Sequence, residues 1–562
     1  MSFFMAMRST KGNLHLEIQT SRRSPVGVIR TTYRDKATGK YCHTQHGRIT
    51  GCTLEQLKLL QLAFREKVIP VESESSFKIE KSREFGASAS ILNLAKELGL
   101  HRMLYSRSDP WVDSVMAMVV GRLIYQGSKL SLLHHRRNTC LWELCGIAQV
   151  DDIDTLCYQP LDRLLERQQA IQKKLAKRHL RGVQGEDSLL LYDITSTYFQ
   201  GEYKASELVT FGYNRDRKKG TKQVVIGLIC NGEGCPVACE VFKGNTNDSS
   251  TVMDQIEVLR TRYALKSFTF VGDRGMVTQQ RFEAIRKIGG LTTITALTHG
   301  QLKELQNRDL VQMELFDERN IVEITDPEDP ELRYCLCKNP NSAKDQSATR
   351  KRLIELTIAG LEQIAAYKQA TTTEKLGARV GRLLEKYKMG KFIDWEIIAA
   401  EGSARSQHHQ LRWTLNEEKC EGEAALDGCY IIRTDVPAER MTSDQVVRTY
   451  KSLGDIERAF RNLKTVQIEI RPVYHKKDDR IRAHVFLCML SYYVQWHMLQ
   501  RLQPLFDRDG TGEHRKWTFQ AVIERLKQIT QNEVSSEGVS FKLNTVTDKE
   551  QQYIIDLLKR AI

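Results

Sequence analysis

The sequence predicts an α/β protein: a mixed-direction sheet interleaved with helices, interrupted by one large insertion and flanked by helical regions. Three observations predict it. Short apolar runs bounded by turn residues recur between 188 and 296 and alternate with helical stretches, the pattern of an α/β sheet. Asn231-Gly232-Glu233-Gly234 marks a hairpin within that region, so antiparallel neighbours join the crossover-connected strands. Between 300 and 440 the alternation stops, and a clean helical stripe resumes only at 442–464.

At 562 residues the chain is expected to hold several domains, and its 41% hydrophobic content is enough for packed cores. The formal charge is +14, which favours a polyanionic partner such as nucleic acid over a merely basic surface. Thirteen cysteines show no disulfide-like spacing. None forms a C-x-x-C pair with a second pair downstream, so no structural zinc site is expected. Free thiols in this number suit a reducing cytoplasm. The N-terminus shows no secretory signal. Val485 to Leu499 is too short to span a bilayer and carries Gln495 and His497, so it reads as a buried helix.

Residues 1–80 read as a small β-rich basic module, with Ala37-Thr38-Gly39-Lys40 as a hairpin turn. Arg22, Arg23, Arg30, Arg34, Lys36, Lys40 and Arg48 punctuate its strands, on either a DNA-contacting hairpin or a solvated face. Residues 81–184 read as a helical DNA-binding region, with Leu161, Leu164, Leu165, Ile171 and Leu175 at helical spacing. Seven Lys or Arg against two acids between 161 and 182 suit a phosphate backbone, or a face exposed to water alone.

Residues 185–300 form the first part of the expected core. Its strands are centred on LLLYDITST (189–197), QVVIGLIC (223–230), PVACEVFK (236–243), SFTFVG (267–272) and 291–296, with helices at 251–263 and 277–288. Residues 301–440 read as an insertion with its own fold, with strands at Phe392–Ala399 and Cys429–Thr434. Residues 441–505 return to the core. There Thr442 and Gln445 make a capping box, and Gly454 is expected to break the helix. Residues 506–562 read as two further helices, near 517–531 and 547–561.

Three acids stand out. Asp193 interrupts an apolar strand, where a carboxylate must be paired or bind a metal. Asp273 ends the SFTFVG strand, and Glu457 borders a helical apolar stripe. Phosphoryl transfer on DNA uses two divalent ions about 3.5–4 Å apart, and Mg²⁺ needs only a few carboxylates. Taken singly, each acid has a plain alternative: an ion pair, a strand end, a solvated helix face.

The stretch YKSLGDIERAFRNLK (450–464) resembles the Tyr-x2-Arg-x3-Glu-x6-Lys signature of bacterial insertion-sequence transposases of the DDE class. Tyr450, Glu457 and Lys464 match it, while Leu453 stands where the signature has arginine. RPVYH (471–475), the AH of 483–484, VGDRGM (271–276) and YDITSTYF (192–199) are similar to one branch of the IS-four superfamily, the IS-sixteen-thirty-four branch. The resemblance covers roughly 185–500. It implies a ribonuclease H-like core, with Asp193, Asp273 and Glu457 as catalytic ligands of two Mg²⁺ or Mn²⁺ ions. It implies a β-rich insertion, double-stranded transposon and target DNA as partners, and a homodimer. Tyr450 and Lys464 would touch DNA near the scissile phosphate, with Arg461 as a further candidate. Arg274 would bind phosphate or, by preference, pair with a triad acid. His475 and His484 would face DNA or the site, or serve structure alone. The competing readings are a ribonuclease H-like nuclease or resolvase that cuts without joining, and a non-catalytic DNA-binding regulator.

Overall fold

A computed structural model describes residues 13–20, 24–34, 39–66, 78–147, 152–180, 188–213, 218, 220–308, 321–367, 371–398, 409–461, 470, 473–509, 516–536 and 539–559. The chain forms two compact units, Met1–Ser82 with Gln531–Thr545, and Arg83–Thr530 with Val546–Ile562.

In the first unit β1 (Asn13–Gln19), β2 (Val26–Arg34) and β3 (Tyr41–Ile49) make an antiparallel sheet in sequence order. Helix α1 (Leu54–Glu66) packs on it through Leu57. A Cβ at Gly27 would meet Leu57 at 2.9 Å, so this close approach of helix to strand needs glycine. Arg30 is ion-paired with Glu17, and Arg34 donates to the Gly39 carbonyl at 3.0 Å. Those two basic side chains are therefore used within the sheet. Arg22, Arg23, Lys36 and part of the expected hairpin turn lie outside the described residues. Strand β4 (Lys78–Glu84) closes this stretch of the chain.

The second unit opens with helices: α2 (Gly86–Glu97), α3 (Leu100–Leu104), α4 (Pro110–Ile124), α5 (Lys129–His134), α6 (Leu141–Leu144) and α7 (Gln159–His179). Helix α4 starts where Asp109 accepts from the Trp111 amide at 3.3 Å and Pro110 takes the first turn. Its apolar sequence is buried almost all round. Helix α7 buries Leu161, Leu164, Ile171 and Leu175, the stripe read from the sequence. Its basic face is less free than its composition suggests. Arg163 pairs with Glu166 at 3.1 Å, Arg167 sits over the Tyr105 ring, and Lys174 donates to the Met103 carbonyl at 3.0 Å.

The strands that follow are β5 (Ser188–Tyr198), β6 (Gln223–Asn231) and β7 (Pro236–Lys243). Then come α8 (Asp248–Thr261), β8 (Phe268–Gly272), α9 (Gln279–Arg286), β9 (Leu291–Ala296) and α10 (His299–Asn307). Hairpin β10 (Ile321–Asp326) and β11 (Asp329–Lys338) leads to α11 (Pro340–Ala365) and α12 (Thr373–Tyr387). A second hairpin, β12 (Ile393–Ile398) with β13 (Gln410–Leu415), precedes α13 (Glu417–Ala425) and β14 (Cys429–Thr434).

Eight of these strands form one mixed sheet in the order β10-β11-β14-β9-β8-β5-β6-β7. β5, β8 and β9 run parallel, and their other partners are antiparallel. The insertion is therefore not the separate β-rich fold expected. β10, β11 and β14 extend the main sheet, and what lies between is dominated by α11 and α12. Those helices and the β12–β13 hairpin share a small core of Leu361, Val380, Leu384, Ile393 and Leu411. Strand pattern marks a strand, but it does not say which sheet the strand will join.

The chain then runs through α14 (Ser443–Lys451), α15 (Leu453–Arg461), α16 (Asp478–Arg508) and α17 (Phe519–Lys527). Thr442 and Gln445 close the expected capping box, and the helix breaks at Ser452, two residues before Gly454. Buried α16 carries the apolar segment 485–499, and no helix among the described residues is long and apolar enough to cross a membrane. Strands β15 (Thr530–Ser536) and β16 (Val539–Asn544) follow, then α18 (Lys549–Lys559). The hairpin is a departure from the all-helical C-terminal reading: β15 pairs with β4, some 450 residues earlier, in the first unit. TQNEVSS has no apolar alternation to announce a strand, so the distant partner decides.

Candidate active site

Side chains alternate across a strand, so Leu191 and Asp193 share one face of β5 while Tyr192 takes the other. Tyr192 packs against Phe270 and donates its hydroxyl to Thr251 of α8 at 3.0 Å. Gly227 on β6 leaves room for it; a Cβ there would lie 2.7 Å from the Tyr192 hydroxyl. Asp193 takes the opposite face, and α15 packs on β5. A buried aromatic thus pins the strand and commits the next carboxyl to the other side.

The parallel register of β5 and β8 ends at the pair Tyr192 and Gly272. The next residues are Asp193, still within β5, and Asp273, just past the end of β8, so both carboxylates follow the last register pair of two adjacent strands. Asp193 is half-buried and Asp273 is exposed. The Asp273 Oδ1 accepts from its neighbouring Arg274 amide at 2.7 Å and from the Tyr450 hydroxyl at 3.2 Å. Burial pushes the Tyr450 phenol far up from its ordinary pKa, and the charges of Asp273 and Glu457 add to this. Tyr450 therefore remains a neutral donor, which orients one oxygen of Asp273.

Helix α15 delivers Glu457. Leu453, Ile456, Ala459 and Phe460 are buried, and Glu457 is exposed beside them. The start of the helix is seated on the β6–β7 hairpin, where Gly234 (φ +82°) would place a Cβ 3.1 Å from Asp455. Arg458 pairs with Asp455 at 3.2 Å, and among the described residues Glu457 makes no ion pair or side-chain hydrogen bond.

Oxygen donors from two strands and a helix suit a hard divalent cation, and the exposure of Asp273 and Glu457 leaves room for its waters. The three carboxylates are not gathered tightly. Among the described residues the group of three possible ligands lying within 4.8 Å of one another is a different one, His179, Cys235 and His497. A pair of ions spans a wider set of ligands than one ion does, and solvent-facing Asp and Glu side chains rotate at little cost.

The other sequence candidates separate. Arg274 does not pair with a triad acid: only its backbone amide meets Asp273, and its exposed guanidinium makes no ion pair among the described residues. Arg461 is exposed at the end of α15. Lys464 lies outside the described residues. His475 is not on an open basic surface. Its ring packs edge-on against Tyr158 with centroids 5.7 Å apart and lies beside His484. Burial, with Lys129, Arg480 and Arg122 nearby, pulls its pKa down to about 3, so it brings no positive charge to a phosphate at neutral pH. His484 is wholly buried, in contact with Lys129 and with the Ile470 carbonyl at 3.1 Å, and its role is structural. The contact of Tyr450 with Asp273 was not foreseen, since helix periodicity does not say which strand end a side chain reaches.

The mixed sheet thus carries Asp193 within β5 and Asp273 just past the end of β8, and α15, which packs on β5, carries Glu457. The comparisons with known proteins name the family: the transposase DDE domain model matches residues 184–494, and the chain belongs to that family of DDE-type transposases. Members of this family use divalent metal ions. No curated protein matches the chain. Among solved structures, a cryo-EM piggyBac transposase synaptic complex with hairpin DNA aligns at 8% identity and a TM-score of 0.33, covering 78% of this chain and 76% of that one. That likeness is too loose to argue from.

Proposed function

We propose that this chain is a cut-and-paste DNA transposase of the IS-four superfamily, IS-sixteen-thirty-four branch, acting on the terminal inverted repeats of a bacterial insertion sequence. The observation that supports the reading is that β5 and β8 pair in parallel up to Tyr192 and Gly272, with Asp193 and Asp273 the next residues along the two chain segments and the helix of Glu457 packed on β5. The central strands would form a ribonuclease H-like core. Asp193, Asp273 and Glu457 would hold two Mg²⁺ or Mn²⁺ ions, whose Lewis acidity serves attack on a phosphodiester. Tyr450 keeps one oxygen of Asp273 occupied and leaves the other for a ligand. Exposed Arg274 and Arg461, with Lys464 beyond the described helix, would meet phosphates of double-stranded DNA. The net charge of +14 supports that partner. A homodimer on paired ends, at work in a bacterial cytoplasm, completes the reading.

The test is a strand-transfer assay with the element's own ends and Mg²⁺. Joined product supports the proposal. Cleavage without joining would make the protein a nuclease or resolvase, and binding alone would make it a regulator.

A further inference from the structure

A second group of metal-ligating side chains lies away from the acids. His179 at the end of α7, Cys235 in the β6–β7 turn just before β7 and His497 on α16 offer ligand atoms that all lie within 4.8 Å of one another. Three elements far apart in sequence converge there. Cys235 is fully buried, and the two histidines are half-buried. The Nε2 of His497 is buried and has no hydrogen-bond partner. A buried ring nitrogen without a partner is costly, and a metal ion would satisfy it. The surroundings fit a compact ion. The His497 ring is flanked edge-on by Tyr493 and Trp496, and the Tyr493 hydroxyl lies 3.1 Å from His179 Nε2, placed to hold that ring in orientation. The nearby cations are directed elsewhere. Arg178 donates to the Leu98 carbonyl and the Tyr493 hydroxyl, and Arg501 is held by Glu97 at 2.8 Å.

We propose that His179, Cys235 and His497 form a zinc site that ties the end of α7, the β6–β7 hairpin and α16 together. One thiolate and two imidazoles are donors that zinc prefers, whereas Mg²⁺ takes oxygen. A tetrahedral zinc ion spaces such ligands about 3.3–3.8 Å apart, so the group closes by no more than about 1.5 Å on binding. Cys235 gives up its thiol proton as the Zn–S bond forms. Water or another small donor takes the fourth position. The hairpin that the ion would hold is the one on which the Glu457 helix is seated.

The test uses the full-length protein, freed of metal by a chelator and titrated with Co²⁺ as a spectroscopic stand-in. We expect a near-ultraviolet thiolate-to-cobalt band saturating at one equivalent, in wild type and equally in Asp193→Asn. Cys235→Ser should abolish the band, and His497→Gln should weaken cobalt binding by more than about tenfold. In urea just below the unfolding midpoint, where local opening exposes the buried thiol, Zn²⁺ should also protect Cys235 of the wild-type protein from alkylation, read on its peptide by mass spectrometry, which needs no variant to fold. No thiolate band in wild type, a band surviving in Cys235→Ser, or equal alkylation with and without Zn²⁺ would each overturn the proposal. Because Asp193→Asn leaves this signal intact while abolishing strand transfer, failure here is distinguishable from failure of the acid site.

Discussion

The two candidate metal sites of the second unit are built on opposite plans. Asp193 lies half-buried within β5, Asp273 stands exposed past the end of β8, and Glu457 stands on the exposed face of α15, so the acids are not drawn together. His179, Cys235 and His497 are already drawn together where helices and a hairpin meet. On the proposed roles, the difference follows from what each site must admit. A site acting on DNA must stay open for a backbone and for ions that keep their waters. A site proposed to hold elements together can instead be set among packed elements, with one small donor completing three protein ligands.

The sharpest way to break the comparison is to remove single acids. Asp193→Asn, Asp273→Asn or Glu457→Gln should lower strand transfer by on the order of a thousandfold or more, while DNA-end binding in a gel-shift assay stays near wild type. A variant that keeps full transfer would remove that residue from the ligand set. Next in size is the support beneath Glu457. Ile456 is fully buried on α15, and Ile456→Ala should cost about 2–4 kcal/mol of stability in denaturant melts and reduce cleavage too. Unchanged cleavage would mean that the helix need not be held rigidly. Tyr450→Phe removes one hydrogen bond to Asp273, worth about 1 kcal/mol, so single-turnover cleavage should slow by roughly fivefold and need more Mg²⁺. A purely DNA-contacting Tyr450 would instead weaken end binding and leave the Mg²⁺ requirement alone.

The smallest expected effect concerns pH. His475 in the folded chain has its pKa pulled down to about 3, from 6.5 unfolded, so between those values the unfolded chain binds the extra proton. Stability should therefore fall as pH drops below about 6.5, the loss continuing toward pH 3. Thermal melts at pH 7 and pH 5 should show a smaller drop for His475→Gln than for wild type. An equal drop would assign the acid sensitivity to other groups.

Much of the fold was legible locally. Apolar β-branched runs marked β5 to β9, and Asn231 to Gly234 marked the hairpin, because a strand's period and a turn's backbone demands are written in adjacent residues. The capping box at Thr442 was legible for the same reason. The three acids could be named from an acid set in an apolar strand, an acid at a strand end, and a motif around Glu457. What those residues face was not legible. No pattern near Tyr450 points to Asp273, 177 residues away. Cysteine spacing argued against zinc, and the grouping of His179, Cys235 and His497, brought together from distant segments, has no spacing to read.

The sequence by itself determined the elements and the chemistry each can offer, because periodicity, capping and side-chain type are local properties. Only the tertiary structure decided that β10, β11 and β14 extend the central sheet, that β15 joins β4, and that β5 and β8, whose parallel register runs up to Asp193 and Asp273, lie side by side. Those outcomes depend on strand register and on which apolar faces find each other, and both are settled by packing across long separations in the chain.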